Sequence, residues 1–119
     1  MTSIHTFRNI ALSLPEAEEQ PHFEQTSFRV KKKIFATLNM VENRACLKFS
    51  ELDQSAFCSF DRDVIYPVPN KWGKQGWTLI NLALIKKEML QDALETAYCT
   101  VAPKKLAQPI LARKENTID

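Results

Sequence analysis

The sequence predicts an α+β fold, a two-layer sandwich with helices on one face of a mostly antiparallel sheet. Five short stretches alternate apolar and polar residues with the period of a strand. Most of them are joined by turn-length links, as antiparallel neighbours require. Three other stretches repeat apolar residues every three or four positions, which is typical of amphipathic helices. Helices packed on one side of such a sheet give the predicted order α-β-β-β-α-β-β-α.

The length and composition fit a single domain over residues 1–119. The chain is 45% hydrophobic and 25% charged, ordinary values for a globular domain with its own core. Its formal net charge of +2 is too small to imply a polyanionic partner by itself. No apolar run approaches the roughly 18 residues that cross a membrane, and the N-terminus does not resemble a signal peptide. The three cysteines, odd in number and far apart, favour reduced thiols and a cytoplasmic location.

The first half of the chain predicts a helix followed by three strands. Apolar residues in 3–14 recur on one helical face, Thr2 or Ser3 can cap this helix, and Pro15 ends it. Residues 15–25 contain two prolines and four acids without periodicity, so we expect an exposed connection there. Residues 26–38 predict a hairpin, and residues 45–49 predict a third strand.

The second half predicts a helix, two strands and a longer helix. Ser50 is a good cap for a helix over residues 51–60, whose apolar stripe includes Leu52 and Phe60. Residues 64–68 predict a short edge strand that ends in prolines. A strand at residues 77–82 precedes the clearest helix, at residues 85–101. Pro109 should prevent one continuous terminal helix, and residues 113–119 read as a frayed tail.

The turn at residues 70–77 is the best candidate for a functional site. It contains both glycines and both tryptophans of the chain, so the unusual backbone geometry is concentrated there. Lys71, Trp72 and Lys74 place an aromatic ring beside two cations, a combination that suits contacts to nucleic-acid bases and phosphates. Trp77 opens an apolar strand and is expected in the core. Three consecutive lysines at the hairpin turn provide a second predicted contact: Lys31, Lys32 and Lys33.

An alternative interpretation assigns these residues to structure. The lysines would keep a sheet edge soluble and the tryptophans would cover the core. The chain would then be a scaffold that binds a protein or a small ligand on an open sheet face lined by Phe35 and Cys46. Which of these alternatives holds depends on whether the lysines cluster around Trp72 on one surface.

Catalytic, cofactor and metal sites are not expected. The sequence has neither a phosphate-binding loop nor a dinucleotide fingerprint, and no cysteine has a histidine neighbour in sequence. His22 lies near Glu18, Glu19 and Glu24, but the spacing does not match a known ligand pattern. We therefore expect a non-enzymatic binding protein without a metal or cofactor.

Three stretches resemble a known family. They are LPEAEEQPHFEQTSFRVKKKIFATL at residues 14–38, NKWGKQGWTLINL at residues 70–82 and AYCTVAPKKL at residues 97–106. Within them, Lys33–Ala36, Gly73–Trp77, Tyr98 and Pro103–Lys105 are similar to motifs of the MmcQ/YjbR family of small bacterial proteins. Many members have Lys-x-His-Trp where this chain has Lys-Gln-Gly-Trp, so no role of that histidine is carried over.

The resemblance implies a CyaY-like fold, the two-layer sandwich shared with bacterial frataxin. It also implies DNA binding, which is the label that the family carries. It implies neither a defined reaction nor an agreed set of functional residues.

Overall fold

The computed structural model describes residues 3–116 and contains six strands and five helices within that range. In chain order the elements are α1 (Ile4–Ser13), β1 (Glu18–His22), β2 (Gln25–Val30), β3 (Lys33–Asn39), β4 (Arg44–Lys48), α2 (Glu51–Cys58), β5 (Ile65–Pro67), α3 (Lys71–Lys74), β6 (Trp77–Asn81), α4 (Lys87–Val101) and α5 (Lys104–Asn116). The strands form one sheet in the order β1-β2-β3-β4-β6-β5, and every neighbouring pair is antiparallel. The predicted α+β class is confirmed.

One face of the sheet carries the core, and alternation along the strands decides which residues point into it. In β4, Ala45 and Leu47 are buried, while Cys46 and Lys48 point to the opposite face. Helix α4 packs on β3 and β4, and α1 and α5 pack on α4. The largest fully buried side chains are Tyr98, Phe7, Phe28, Phe35, Phe49, Leu38 and Leu47. The other face of the sheet remains open.

The segment expected as an exposed connection contains strand β1, so that prediction is wrong. Its residues 18–22 pair along β2, with Gln20 opposite Ser27. Ser27 Oγ donates a hydrogen bond to the Gln20 carbonyl at 2.9 Å. Arg8 of α1 donates hydrogen bonds to the Glu19 carboxylate at 2.9 and 3.0 Å. These contacts attach β1 to β2 and α1, although its acidic and polar sequence has no apolar periodicity.

The C-terminal prediction also needs correction. Helix α5 runs through Pro109 to Asn116, so the predicted break at Pro109 is not observed. Fraying of the tail from residue 113 stays a prediction. Residues 117–119 lie outside the described part of the chain. Ala107 and Ile110 of α5 are buried, and this packing explains why the helix tolerates a proline that costs about 3 kcal/mol in an isolated helix.

Caps and faces of the shorter helices agree with the sequence only in part. Ser3 and Ser50 both accept the expected capping hydrogen bonds, whereas Thr2 lies outside the described residues. Helix α2 buries Phe57 and Cys58. Leu52 and Phe60, predicted to belong to its apolar face, are 82% and 70% exposed.

Candidate functional site

The corner between β5 and β6 can form only because its two buried positions are glycines. A Cβ atom on Gly73 would lie 2.0 Å from the Val68 carbonyl oxygen. Gly76 has a φ of +103°, and a Cβ there would lie 1.9 Å from the Phe49 carbonyl oxygen. Both distances are far shorter than a van der Waals contact. The backbone of this corner therefore packs directly on its neighbours. The concentration of glycine in this stretch therefore has a structural cause.

The side chain of Gln54 in α2 fixes the corner to the rest of the fold. Its amide nitrogen lies 2.8 Å from the Gly73 carbonyl oxygen, 3.2 Å from that of Trp77 and 3.1 Å from the Thr78 hydroxyl oxygen. The two N–H groups of this amide thus face three acceptors, one on α3 and two on β6. This contact links α3 and β6 through α2.

Three of the predicted site residues lie together on α3. Asn70 caps this short helical turn by accepting a hydrogen bond from the Trp72 amide at 2.8 Å. The chain presents Lys71, Trp72 and Lys74 to solvent, with Trp72 50% exposed. Lys71 Nζ lies 5.8 Å from the centroid of the Trp72 ring, within the range of a cation–π interaction. The cation and the aromatic ring predicted to act together are therefore adjacent.

The second predicted cluster forms the β2–β3 turn. Val30 pairs with Lys33, which leaves a two-residue loop in which Lys31 and Lys32 have φ values of +50° and +69°. Two positive φ values are the pattern of a type I′ hairpin turn. Lys31 forms an ion pair with Glu16 at 2.7 Å, so its charge is partly compensated. Among the described residues, Lys32 and Lys33 have no carboxylate partner.

Strand register places the two lysine clusters at the same end of the sheet. The end of β4 lies beside the start of β3, because Leu47 faces Ala36. The same end of β4 lies beside the start of β6, because Lys48 faces Trp77. The β2–β3 turn and the α3 corner therefore share one end of the sheet. The sequence pattern placed lysines at turns but did not establish this proximity.

Trp77 is not a core residue, contrary to expectation. Its ring lies half-buried on the open face of the sheet, and Lys48 Nζ lies 5.6 Å from the ring centroid. Lys48 also donates a hydrogen bond to the Gln75 carbonyl oxygen. The sequence-based site omitted Lys48. Lys48 could have been found from the alternation of β4, because that alternation directs Lys48 away from the core and onto the open face.

A groove of about 440 Å³ runs along the open face toward the α3 corner. Its lining residues are His22, Phe23, Gln25, Ile34, Thr37, Asn39, Arg44, Ala45, Cys46, Val68, Trp72, Trp77 and Leu79. The predicted Cys46 is among them. Phe35 is not: a bulge opposite β2 turns its side chain into the core, where it packs edge-on against Tyr98 at 5.5 Å between ring centroids.

The three cysteines are free thiols on separate elements: Cys46 on β4, Cys58 on α2 and Cys99 on α4. Burial raises the pKa of the Cys46 thiol to about 11, and burial also raises the pKa of the Cys58 and Cys99 thiols. A nucleophilic cysteine requires the opposite shift. Within residues 3–116, histidine, cysteine and acidic side chains form no group of three that could hold a metal ion.

Every helix in the described part of the chain is too short or too polar to span a membrane. The longest, α4, has 15 residues.

Comparison with known proteins identifies the family. The family model described as YjbR matches residues 12–100. The fold is similar to the crystal structure of Deinococcus radiodurans protein DR2400, which has a DUF419 domain, with a TM-score of 0.73 at 22% identity over 85% of this chain and 79% of that one. No curated protein matches the sequence significantly. Because the family model covers most of the chain, and the α+β fold and the glycine-tryptophan corner agree with the sequence resemblance, the chain belongs to the YjbR family.

Proposed function

We propose that this chain is a non-catalytic DNA-binding protein whose binding is weak and largely independent of sequence. The observation that carries the proposal is the exposed α3 turn. On it, Lys71 lies over the Trp72 ring, and Lys74, the residue after Gly73, is a second exposed cation. Buried glycines and Gln54 fix the backbone of the turn, so binding need not order that backbone.

The charge distribution supports a polyanionic partner at this end of the sheet. Lys71, Lys74, Lys32 and Lys33 are exposed, and none of them pairs with a carboxylate of the described residues. Lysines that are not neutralised internally can contact phosphates and release the counterions condensed on DNA. The net charge of +2 is small, so the local cluster rather than the whole molecule supplies the attraction.

The short helix at the basic corner favours sequence-independent binding there. Helix α3 has only four residues and cannot act as a recognition helix in a major groove. Lysine contacts to phosphate fix position without reading sequence, and a tryptophan face stacks on any base. Affinity should therefore depend more on salt than on base composition.

A titration against mixed-sequence duplex and single-stranded DNA at two salt concentrations tests the proposal. We expect binding at low salt that weakens steeply at the higher salt concentration, with little difference between sequences. If the protein binds neither form at low salt, DNA is not its partner. The groove on the open face would then favour the alternative, a scaffold that binds a protein or a small ligand there.

A further inference from the structure

The open-face groove has the shape and lining of a site for a flat aromatic group. Its volume of about 440 Å³ falls within the roughly 300–1,000 Å³ that is typical of small-molecule sites. Ile34, Cys46 and Leu79 supply apolar surface on the sheet. Trp72 and Trp77 also line it, so the groove contains two of the chain's largest aromatic planes.

The polar groups of the groove suit a base rather than an apolar peptide. Gln25, Thr37 and Asn39 line it with two amides and a hydroxyl, which can donate to and accept from the edges of a base. Arg44 is its one formally cationic lining residue, and among the described residues no acidic side chain lines it. Arg44 itself forms an ion pair with Glu42, so attraction for the phosphates comes from the lysines of the corner.

The groove is continuous with the basic corner. Trp72 lines the groove and also carries Lys71 over its ring, and Trp77 lines it while Lys48 lies over that ring. A strand whose phosphates contact the lysines of the corner therefore has its bases adjacent to the tryptophan rings. Phe23, which is 94% exposed, and His22 line the groove as well, their rings 4.8 Å apart.

We propose that this groove holds unstacked bases of a single nucleic-acid strand, which runs from phosphate contacts at the α3 corner along the groove toward Phe23 at its other end. A base inside a duplex is stacked and paired, so it must first be extruded before it can enter a pocket. The groove therefore makes the protein prefer single strands over duplexes. This inference rests on the proposed function, because the corner lysines must hold the strand.

Alkylation of Cys46 provides a direct test on the unaltered protein. Iodoacetamide labelling at pH 9 is followed for each cysteine by mass spectrometry, with saturating oligothymidylate, with a duplex of equal length, or with no DNA. We expect oligothymidylate to slow labelling of Cys46 about fivefold or more, while Cys58 and Cys99, which do not line the groove, are unaffected. If bound single strands leave Cys46 labelling unchanged, the groove is not the base site.

A substitution outside the core completes the test. Phe23→Ala should weaken single-strand binding about fivefold and leave duplex affinity unchanged, since stacking on the aromatic ring is lost but no phosphate contact is. Phe60→Ala, which removes another largely exposed phenylalanine away from the groove, is the matched control and should change neither.

The two proposals fail in different ways. The groove proposal alone is overturned if DNA binding depends on the lysines but DNA does not protect Cys46 and Phe23→Ala has no effect. Absence of any DNA binding at low salt overturns both. Protection of Cys46 by duplex as strongly as by single strand contradicts the preference for unstacked bases.

Discussion

Lys48 and Trp77 lie directly opposite each other on β4 and β6, and Lys48 Nζ is 5.6 Å from the centroid of the Trp77 ring. A second such pair, Lys71 with Trp72, lies on α3 immediately before β6. Both tryptophans of the chain are thus partnered by a lysine at the same end of the sheet. This repeated pairing relates the basic corner to the open face and underlies both proposals.

The first prediction concerns the core. Leu94 is fully buried in α4, so Leu94→Ala should lower the free energy of unfolding by about 2–5 kcal/mol through the cavity it leaves. Leu52→Ala removes the same atoms from a side chain that is 82% exposed. This control should change the free energy of unfolding by less than about 0.5 kcal/mol. Urea denaturation of both variants measures this. Equal midpoints would mean that α4 does not cover the core.

The second prediction concerns the glycine corner. Gly76→Ala should destabilise the fold by about 1–3 kcal/mol or more, because it combines a positive φ with a clash on the Phe49 carbonyl. Ser55→Ala, on the exposed side of α2, is the control and should be nearly neutral. The melting temperatures of the two variants, measured by thermal unfolding, compare their stabilities. A Gly76→Ala variant as stable as the control would show that the corner can relax.

The third prediction concerns pH. The pKa of Cys46 is raised by burial to about 11, so the folded state holds this proton more tightly than the unfolded chain does. Its contribution to stability is complete below the unfolded pKa near 9 and is lost as the pH rises toward 11. The free energy of unfolding should therefore fall between about pH 9 and 11, and it should fall less in Cys46→Ala. Identical pH profiles for the two proteins would contradict this assignment.

The fourth prediction concerns stacking. Trp72→Ala should weaken single-stranded DNA binding by about 1–3 kcal/mol, because a base loses its aromatic partner. Trp72 is half-exposed, and the far-ultraviolet spectrum and melting temperature of the variant check that the fold is kept. Folded Trp72→Ala protein that binds single strands as tightly as wild type would exclude stacking on this ring.

The sequence predicted the elements whose periodicity arises from burial on one face. Helix α4 is the clearest case, since Leu90, Leu94 and Tyr98 are all fully buried. Strand β1 was missed for the opposite reason. It is an edge strand whose residues are exposed or half-buried, and pairing with β2 rather than local pattern makes it a strand. Its Pro21 is tolerated because an edge strand has one unpaired side.

Local patterns also failed where packing changed the geometry. The bulge opposite β2 shifts the register near Phe35, so two successive residues, Phe35 and Ala36, are both buried. Pro109 was expected to stop a helix, but packing of Ala107 and Ile110 carries α5 past it. Of the candidate site, residue chemistry predicted a turn with Lys71, Trp72 and Lys74 but not that part of it is the short helix α3. The groove, Lys48 and the proximity of the two lysine clusters depend on strand order, which no local pattern contains.

The salt dependence of duplex DNA binding shows whether Lys71 and Lys74 contact phosphates. Lys71→Gln combined with Lys74→Gln should reduce the slope of log affinity against log salt by about two units, if each lysine neutralises one phosphate. Lys86→Gln combined with Lys87→Gln removes the same charge at the start of α4, beyond the opposite end of β6, and is the matched control. We expect a flattened slope for the first pair and a wild-type slope for the second. An unchanged slope for Lys71 and Lys74, or an equal reduction in both double variants, would contradict this expectation.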